Sequence, residues 1–170
     1  MGELQAETVL LVIDAQTGFF ESDPPVHQAD EMLERINNVI KQARAVEVPV
    51  IFVRHDEGPE SEWPLHPQLA RQEGDFVVNK MTPDSFYETD LQEQLANLEA
   101  KALVICGFQT EFCIDTTTRR AFSMGYEVTL LEDVHSTFGG PVIDAATIIA
   151  HHSAVLEGFA SVIPSADLTF

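Results

Sequence analysis

Apolar positions along the chain fall into two alternating patterns. Short runs rich in Val, Ile and Leu occur at Thr8 to Ile13, Val50 to Arg54, Phe76 to Asn79, Ala102 to Cys106, Glu127 to Leu131 and Ala160 to Ile163. Runs of this length, bounded by turn residues, predict strands buried in a sheet. Longer segments between them carry apolar residues at three- and four-residue steps. Ala29 to Val46 sets Met32, Ile36, Val39, Ile40 and Ala43 on one face, which predicts an amphipathic helix. Ser85 to Leu98, Cys113 to Met124 and Val142 to Leu156 predict three more helices, the last two ending at Gly125 and Gly158. Strand and helix alternate, so the expected fold is α/β: a single domain over residues 1–170, doubly wound, with a mainly parallel six-stranded sheet and helices on both faces.

The segment Asp56 to Asp75 fits neither pattern. Its prolines, glycines and charges predict a long loop inside the domain, of the kind that often serves function. A length of 170 residues suits one hydrophobic core, and 45% hydrophobic content excludes disorder as a whole-chain description. With 28 acidic against 9 basic residues, the net charge of −19 repels phosphate backbones and anionic lipid surfaces, so neither nucleic acid nor membrane is an expected partner. The first apolar run, Val9 to Ile13, is too short for a signal peptide or a membrane span, which points to the cytoplasm. Cys106 lies within a predicted buried strand, so it and Cys113 are read as free thiols.

Glycine-rich phosphate loops, the GxSxG elbow, HExxH and paired CxxC motifs are absent from the sequence. What stands out instead are polar residues at the C-terminal ends of strands, the edge where open α/β sheets bind ligands. Asp14 follows LLVI, and Lys80 ends FVVNK. Cys113, in GFQTEFCIDTTTRRAF, opens a predicted helix just after strand ALVIC. Spacing alone leaves Asp14 equally a loop-capping carboxylate and Lys80 a solvated cation. Their combination at one edge gives carboxylate, ammonium and thiol, the parts of a nucleophilic site. An ammonium and a helix N-terminus lower a thiol pKa from about 8.5 to between about 3.5 and 7.5, so a depressed value is expected for Cys113.

These segments, LLVIDAQTGFF, FVVNK and GFQTEFCIDTTTRRAFSMGYEVTLLEDVHSTF, resemble the isochorismatase-like cysteine hydrolases, a superfamily that includes nicotinamidase, N-carbamoylsarcosine amidase and ureidoacrylate hydrolase. The resemblance covers nearly the whole chain and implies a Rossmann-like fold. It implies Asp14, Lys80 and Cys113 as the catalytic triad, a cis peptide between Phe108 and Gln109, and an oxyanion hole from the backbone N–H groups of Gln109 and Cys113. The implied chemistry is thiolate attack on an amide, carbamoyl or ureido carbonyl, with Asp14 protonating the departing amine and water releasing the thioester.

Two departures narrow this implication. Nicotinamidases carry a metal-binding Asp-x-His, whereas here His55 precedes Asp56, so neither metal nor cofactor is expected. Isochorismatases proper need no cysteine, so Cys113 favours C–N cleavage over vinyl ether hydrolysis. Gln16, Phe19, Phe20, Trp63 and Phe138 are candidates for the substrate pocket. The resemblance implies a homodimer or homotetramer acting on a small amide-type substrate. Two alternatives remain: a nicotinamidase-like or isochorismatase-like activity with an atypical site, and a catalytically silent binding or assembly protein. His135, His151 and His152 have no motif partner and are read as structural or solvated.

Overall fold

The computed structural model describes residues 7–170; the first six residues of the expected domain lie outside it. Six strands form one sheet in the order β3-β2-β1-β4-β5-β6, every neighbouring pair parallel. They are β1 (Thr8–Ile13), β2 (Val50–His55), β3 (Phe76–Lys80), β4 (Ala102–Phe108), β5 (Glu127–Ser136) and β6 (Ser161–Ile163). The helices are α1 (Thr17–Glu21), α2 (Ala29–Ala45), α3 (Leu91–Asn97), α4 (Asp115–Ser123) and α5 (Ala145–Leu156). Strand order reverses direction between β1 and β4, the switch point at which the loops diverge and leave a crevice.

All of β1 is buried, and its pleat divides the core in two. Leu10 and Val12 share one hydrophobic cluster with Phe52 and the α2 face Met32, Ile36, Val39, Ile40 and Ala43. Val9, Leu11 and Ile13 face the other way, toward Leu91 and Leu95 of α3, Ile114 and Ala121. Helices therefore cover both faces, as the doubly wound reading requires. Among the described residues, no helix is long and apolar enough to cross a membrane.

Element boundaries depart from the periodicity in instructive places. The helix expected from Ser85 begins at Leu91, because side chains capture the backbone before it can coil. Phe86 N–H donates to Asp84 Oδ1 at 2.8 Å, Ser85 N–H to Thr117 Oγ1 at 3.2 Å, and the Thr89 hydroxyl to the Ser85 carbonyl at 2.6 Å. The helix expected from Val142 starts at Ala145, where Asp144 Oδ1 accepts the Thr147 N–H at 2.8 Å as an N-cap. Strand β5 runs past Leu131 to Ser136, its pairing with β4 interrupted by a register shift between Ile105 and Gly107. Glu132 and Asp133 end the apolar run in the sequence, yet they sit in the strand with Glu132 exposed.

The Asp56 to Asp75 loop holds a 3-10 turn, Gly58–Glu62, and is fastened at both ends. Leu65 forms an isolated antiparallel bridge with Gln16. Farther along, Asn37 of α2 donates to the Gln68 carbonyl at 2.8 Å and accepts from Ala70 N–H at 2.7 Å, while Arg44 pairs with Asp75 at 2.7 Å.

Candidate active site

Four strands end at one place. Strand β1 delivers Asp14, β2 ends in His55, β3 ends in Lys80, and β4 leads through Phe108 and Gln109 to Cys113. Close approach of β1 and β4 here requires glycine: Gly107 has φ +122°, and a Cβ on it would stand 1.9 Å from the Ile13 carbonyl oxygen. The Phe108–Gln109 peptide is cis, as the resemblance implies. Cys113 lies within a π turn, Thr110–Ile114, that runs into α4, so it sits ahead of the α-helix rather than opening it.

The three residues that the spaced motifs single out meet. Lys80 Nζ is 3.0 Å from Asp14 Oδ2 and 3.1 Å from Cys113 Sγ. Its third neighbour is His55 Nδ1 at 2.8 Å. An ammonium has three protons, and these three acceptors use all of them. Asp14, Lys80 and Cys113 are all buried, whereas His55 is half-buried.

Burial dominates the protonation of this cluster. It raises the Asp14 pKa, against the lowering pull of Lys80 and of the Cys113 thiol. Burial likewise pushes the Cys113 thiol up to about 12, aided by the Asp14 carboxylate and opposed by Lys80. The expected depression of that thiol is thereby corrected. A carboxylate faces the sulfur as well as the ammonium, their effects oppose one another, and burial is the largest influence. His55 moves the other way: burial and the Lys80 charge lower its pKa, so the imidazole is neutral at pH 7.

A cavity of about 220 Å³ opens onto the sulfur, lined by Asp14, Phe19, His55, Glu60, Pro83, Gln109, Phe112 and Cys113. Of the five pocket candidates, Phe19 lines it and the other four do not. Phe20 packs edge-on against Phe108 at 5.1 Å, Trp63 edge-on against Phe19 at 5.3 Å, and Phe138 tilts over Phe19 at 6.0 Å. The single turn of α1 points Phe19 inward and leaves these rings behind it as support. Gln16 is fully buried beneath the pocket, where its amide NH₂ reaches the carbonyls of His55 at 3.0 Å, Glu60 at 2.9 Å and Trp63 at 2.8 Å. Its Oε1 accepts the His55 N–H at 2.9 Å. Gln16 is thus a clamp that ties β1 to the end of β2 and to the 3-10 turn.

The π turn is held from the far side by His135, which is 2% exposed. His135 Nδ1 is 2.9 Å from Thr110 Oγ1 and Nε2 is 3.1 Å from Ser153 Oγ of α5. Burial lowers its pKa to about 4, so it is a neutral structural link. His152 pairs with Asp115 at 3.0 Å, and His151 is exposed. Two residues of consequence escape the motif reading, His55 as a partner of Lys80 and Glu60 as a pocket wall. His55 carries a signal that could have found it, since it ends an apolar strand at the same sheet edge as Asp14 and Lys80.

The fold and this cluster define a class, the α/β proteins that carry a buried thiol, an ammonium and a carboxylate at the switch point of a parallel sheet. The model of the isochorismatase domain family matches residues 8–160, and the chain belongs to the isochorismatase family of hydrolases. It is 30% identical over 173 residues to a secreted isochorismatase effector of Verticillium dahliae, covering 95% of this chain and 90% of that protein. To nicotinamidase 3 of Arabidopsis thaliana it is 30% identical over 159 residues, covering 80% and 76% of the two chains. A crystal structure of an isochorismatase from Pseudomonas putida superposes with a TM-score of 0.86 at 32% identity, covering 97% of this chain and 91% of that one.

Proposed function

We propose that this hydrolase cleaves the C–N bond of a small amide, carbamoyl or ureido substrate through a thioester on Cys113. The observation that carries the reading is the buried contact of Lys80 with both Asp14 and Cys113, at 3.0 and 3.1 Å. A thiol held near 12 is inert until its proton leaves, and Asp14 is the adjacent base. Oδ2 of Asp14 is engaged by Lys80, while buried Oδ1 has no hydrogen-bond partner and is free to take the proton. The sulfur then forms a bond to the carbonyl carbon as the π electrons move to oxygen, and Lys80 offsets the charge while it resides on sulfur. Backbone N–H groups of Gln109 and Cys113 are the proposed oxyanion donors, each worth about 2.7 to 4 kcal/mol in comparable sites. Collapse of the tetrahedral adduct breaks the C–N bond, and Asp14 returns the proton to the leaving nitrogen. Water, deprotonated by Asp14, attacks the thioester carbon; the acid departs and the thiol recovers its proton.

The reading is metal-independent. Asp14, His55 and Cys113 bring three potential ligand atoms within 4.8 Å of one another, but Lys80 Nζ hydrogen-bonds or ion-pairs with all three and takes the place a metal cation would need. The relation to a nicotinamidase supports an amide as substrate. The same reading takes the protein as a cytoplasmic homodimer or homotetramer: two unpaired thiols suit a reducing compartment, and α5 leaves Ala146, Ala150 and Val155 exposed. Ammonia release from a panel of primary amides, with and without chelator, tests the function. Cys113→Ala is expected to lower turnover by at least 10³-fold with an unchanged circular dichroism spectrum. Retained activity in that variant, or loss on chelation, overturns the assignment.

A further inference from the structure

Resting on the amide-hydrolase reading above, the charges around the cavity select among amides. Two acidic residues line it, Asp14 and Glu60, the latter close enough for its charge to act on His55, and among the described residues no arginine or lysine does. The cation beside it, Lys80, has all its protons committed to Asp14, Cys113 and His55. A substrate carboxylate would therefore enter without a free positive partner and face Glu60, whose charge no cation matches, inside a chain of net charge −19.

Glu60 and His55 offer the complementary features. Glu60 is half-buried on the 3-10 turn, and its carboxylate forms no hydrogen bond or ion pair among the described residues. Its backbone is fixed, because Gln16 holds the Glu60 carbonyl at 2.9 Å. His55 accepts the Lys80 proton at Nδ1, which assigns its own proton to Nε2. That N–H has no partner among the described residues, and the ring lines the cavity. One wall thus presents an anionic acceptor and a neutral donor, both positioned by the same buried glutamine.

We infer that Glu60 and His55 form a specificity wall that admits neutral and cationic amides and rejects carboxylate-bearing ones, Glu60 supplying the charge discrimination and His55 a hydrogen bond to a substrate oxygen.

The inference is tested on two independent readouts. In the first, butyramide, 4-aminobutyramide and succinamate present the same amide on neutral, cationic and anionic chains. The expected kcat/KM for 4-aminobutyramide equals or exceeds that for butyramide and is at least tenfold above that for succinamate. Glu60→Gln narrows the cation-to-anion ratio at least fivefold, Glu60→Lys inverts it, and His55→Ala lowers kcat/KM for all three without changing the ratio. The second readout needs no turnover. Cys113 is labelled with 2-aminoethyl and 2-sulfonatoethyl methanethiosulfonate, reagents of opposite charge that form a mixed disulfide and expel methanesulfinate. Rates are normalised to those with a free thiol, and the Cys113→Ala variant corrects for Cys106.

Faster labelling by the cation, with a ratio that falls several-fold in Glu60→Gln, supports the wall even if no amide is hydrolysed. In that case the function fails and the selectivity stands. A preference for succinamate, a ratio indifferent to Glu60→Gln in both readouts, or a sulfur that neither reagent reaches overturns the inference.

Discussion

Lys80 Nζ lies 3.1 Å from Cys113 Sγ, yet the thiol is pushed up to about 12, because it is buried and because the Asp14 carboxylate stands against the same ammonium. Replacing either partner therefore moves the sulfur in opposite directions. Asp14→Asn removes the anion and leaves the cation, so Cys113 ionises more readily and iodoacetamide alkylation at pH 8 is expected to rise at least tenfold. Lys80→Met leaves the anion alone, and alkylation falls by at least as much. On the proposed mechanism both variants lose turnover, since one lacks the group read as the proton carrier and the other the counter-charge. Equal rates in the two variants would show that neither charge acts on the sulfur.

His135 links the fold's stability to pH. Its pKa falls from 6.5 to about 4 on folding, through burial. Between those values the unfolded chain binds a proton that the folded chain refuses, so stability rises with pH in this window and is lost as pH falls from about 6.5 toward 4. From pH 7 to pH 5 the loss is about 2 kcal/mol at 1.36 kcal/mol per unit. Urea midpoints at the two pH values measure it, and His135→Asn flattens the dependence. His55, whose pKa is also lowered by burial, adds to the slope with the same sign and keeps it from vanishing.

Gly18 gives a packing test that runs against helix propensity. It lies in α1, where alanine ordinarily improves a helix by about 1 kcal/mol. A Cβ at this position would stand 2.0 Å from Trp63 Cδ2. Gly18→Ala is expected to destabilise by about 1 to 3 kcal/mol through overpacking, and in a Trp63→Ala background the penalty disappears. Thermal unfolding of the four members of that double-mutant cycle measures the coupling, and a higher Tm for Gly18→Ala alone would refute it.

The architecture was legible from the sequence because parallel strands buried on both faces leave apolar runs that little else imitates. Strand-end Asp14 and Lys80 were legible for the same reason, since a polar residue ending such a run marks the sheet edge. The protonation of Cys113 was not. Its sign is set by burial of the sulfur, with Asp14 and Lys80 pulling in opposite directions, and neither the burial nor those contacts exist outside the fold. Gln16, a pocket candidate in the sequence, lies outside the cavity lining, because its place just ahead of α1 cannot show which residues a loop some forty positions later will cover. Likewise, the apolar stretch after Ser85 looked helical until Thr117, distant in sequence, took the Ser85 N–H.

Gln16 sits two positions after Asp14, and its own N–H donates to the Asp14 carbonyl at 2.7 Å. The segment that shapes the cavity wall and the residue read as the proton carrier are thereby joined through one amide. Loop grafting aimed at a new substrate range cannot treat residues 56–66 as an interchangeable cassette. A transplanted segment that fails to offer acceptors to residue 16 would unseat the acid along with the wall, so retuned selectivity in this scaffold has to be sought by changing side chains on the existing backbone.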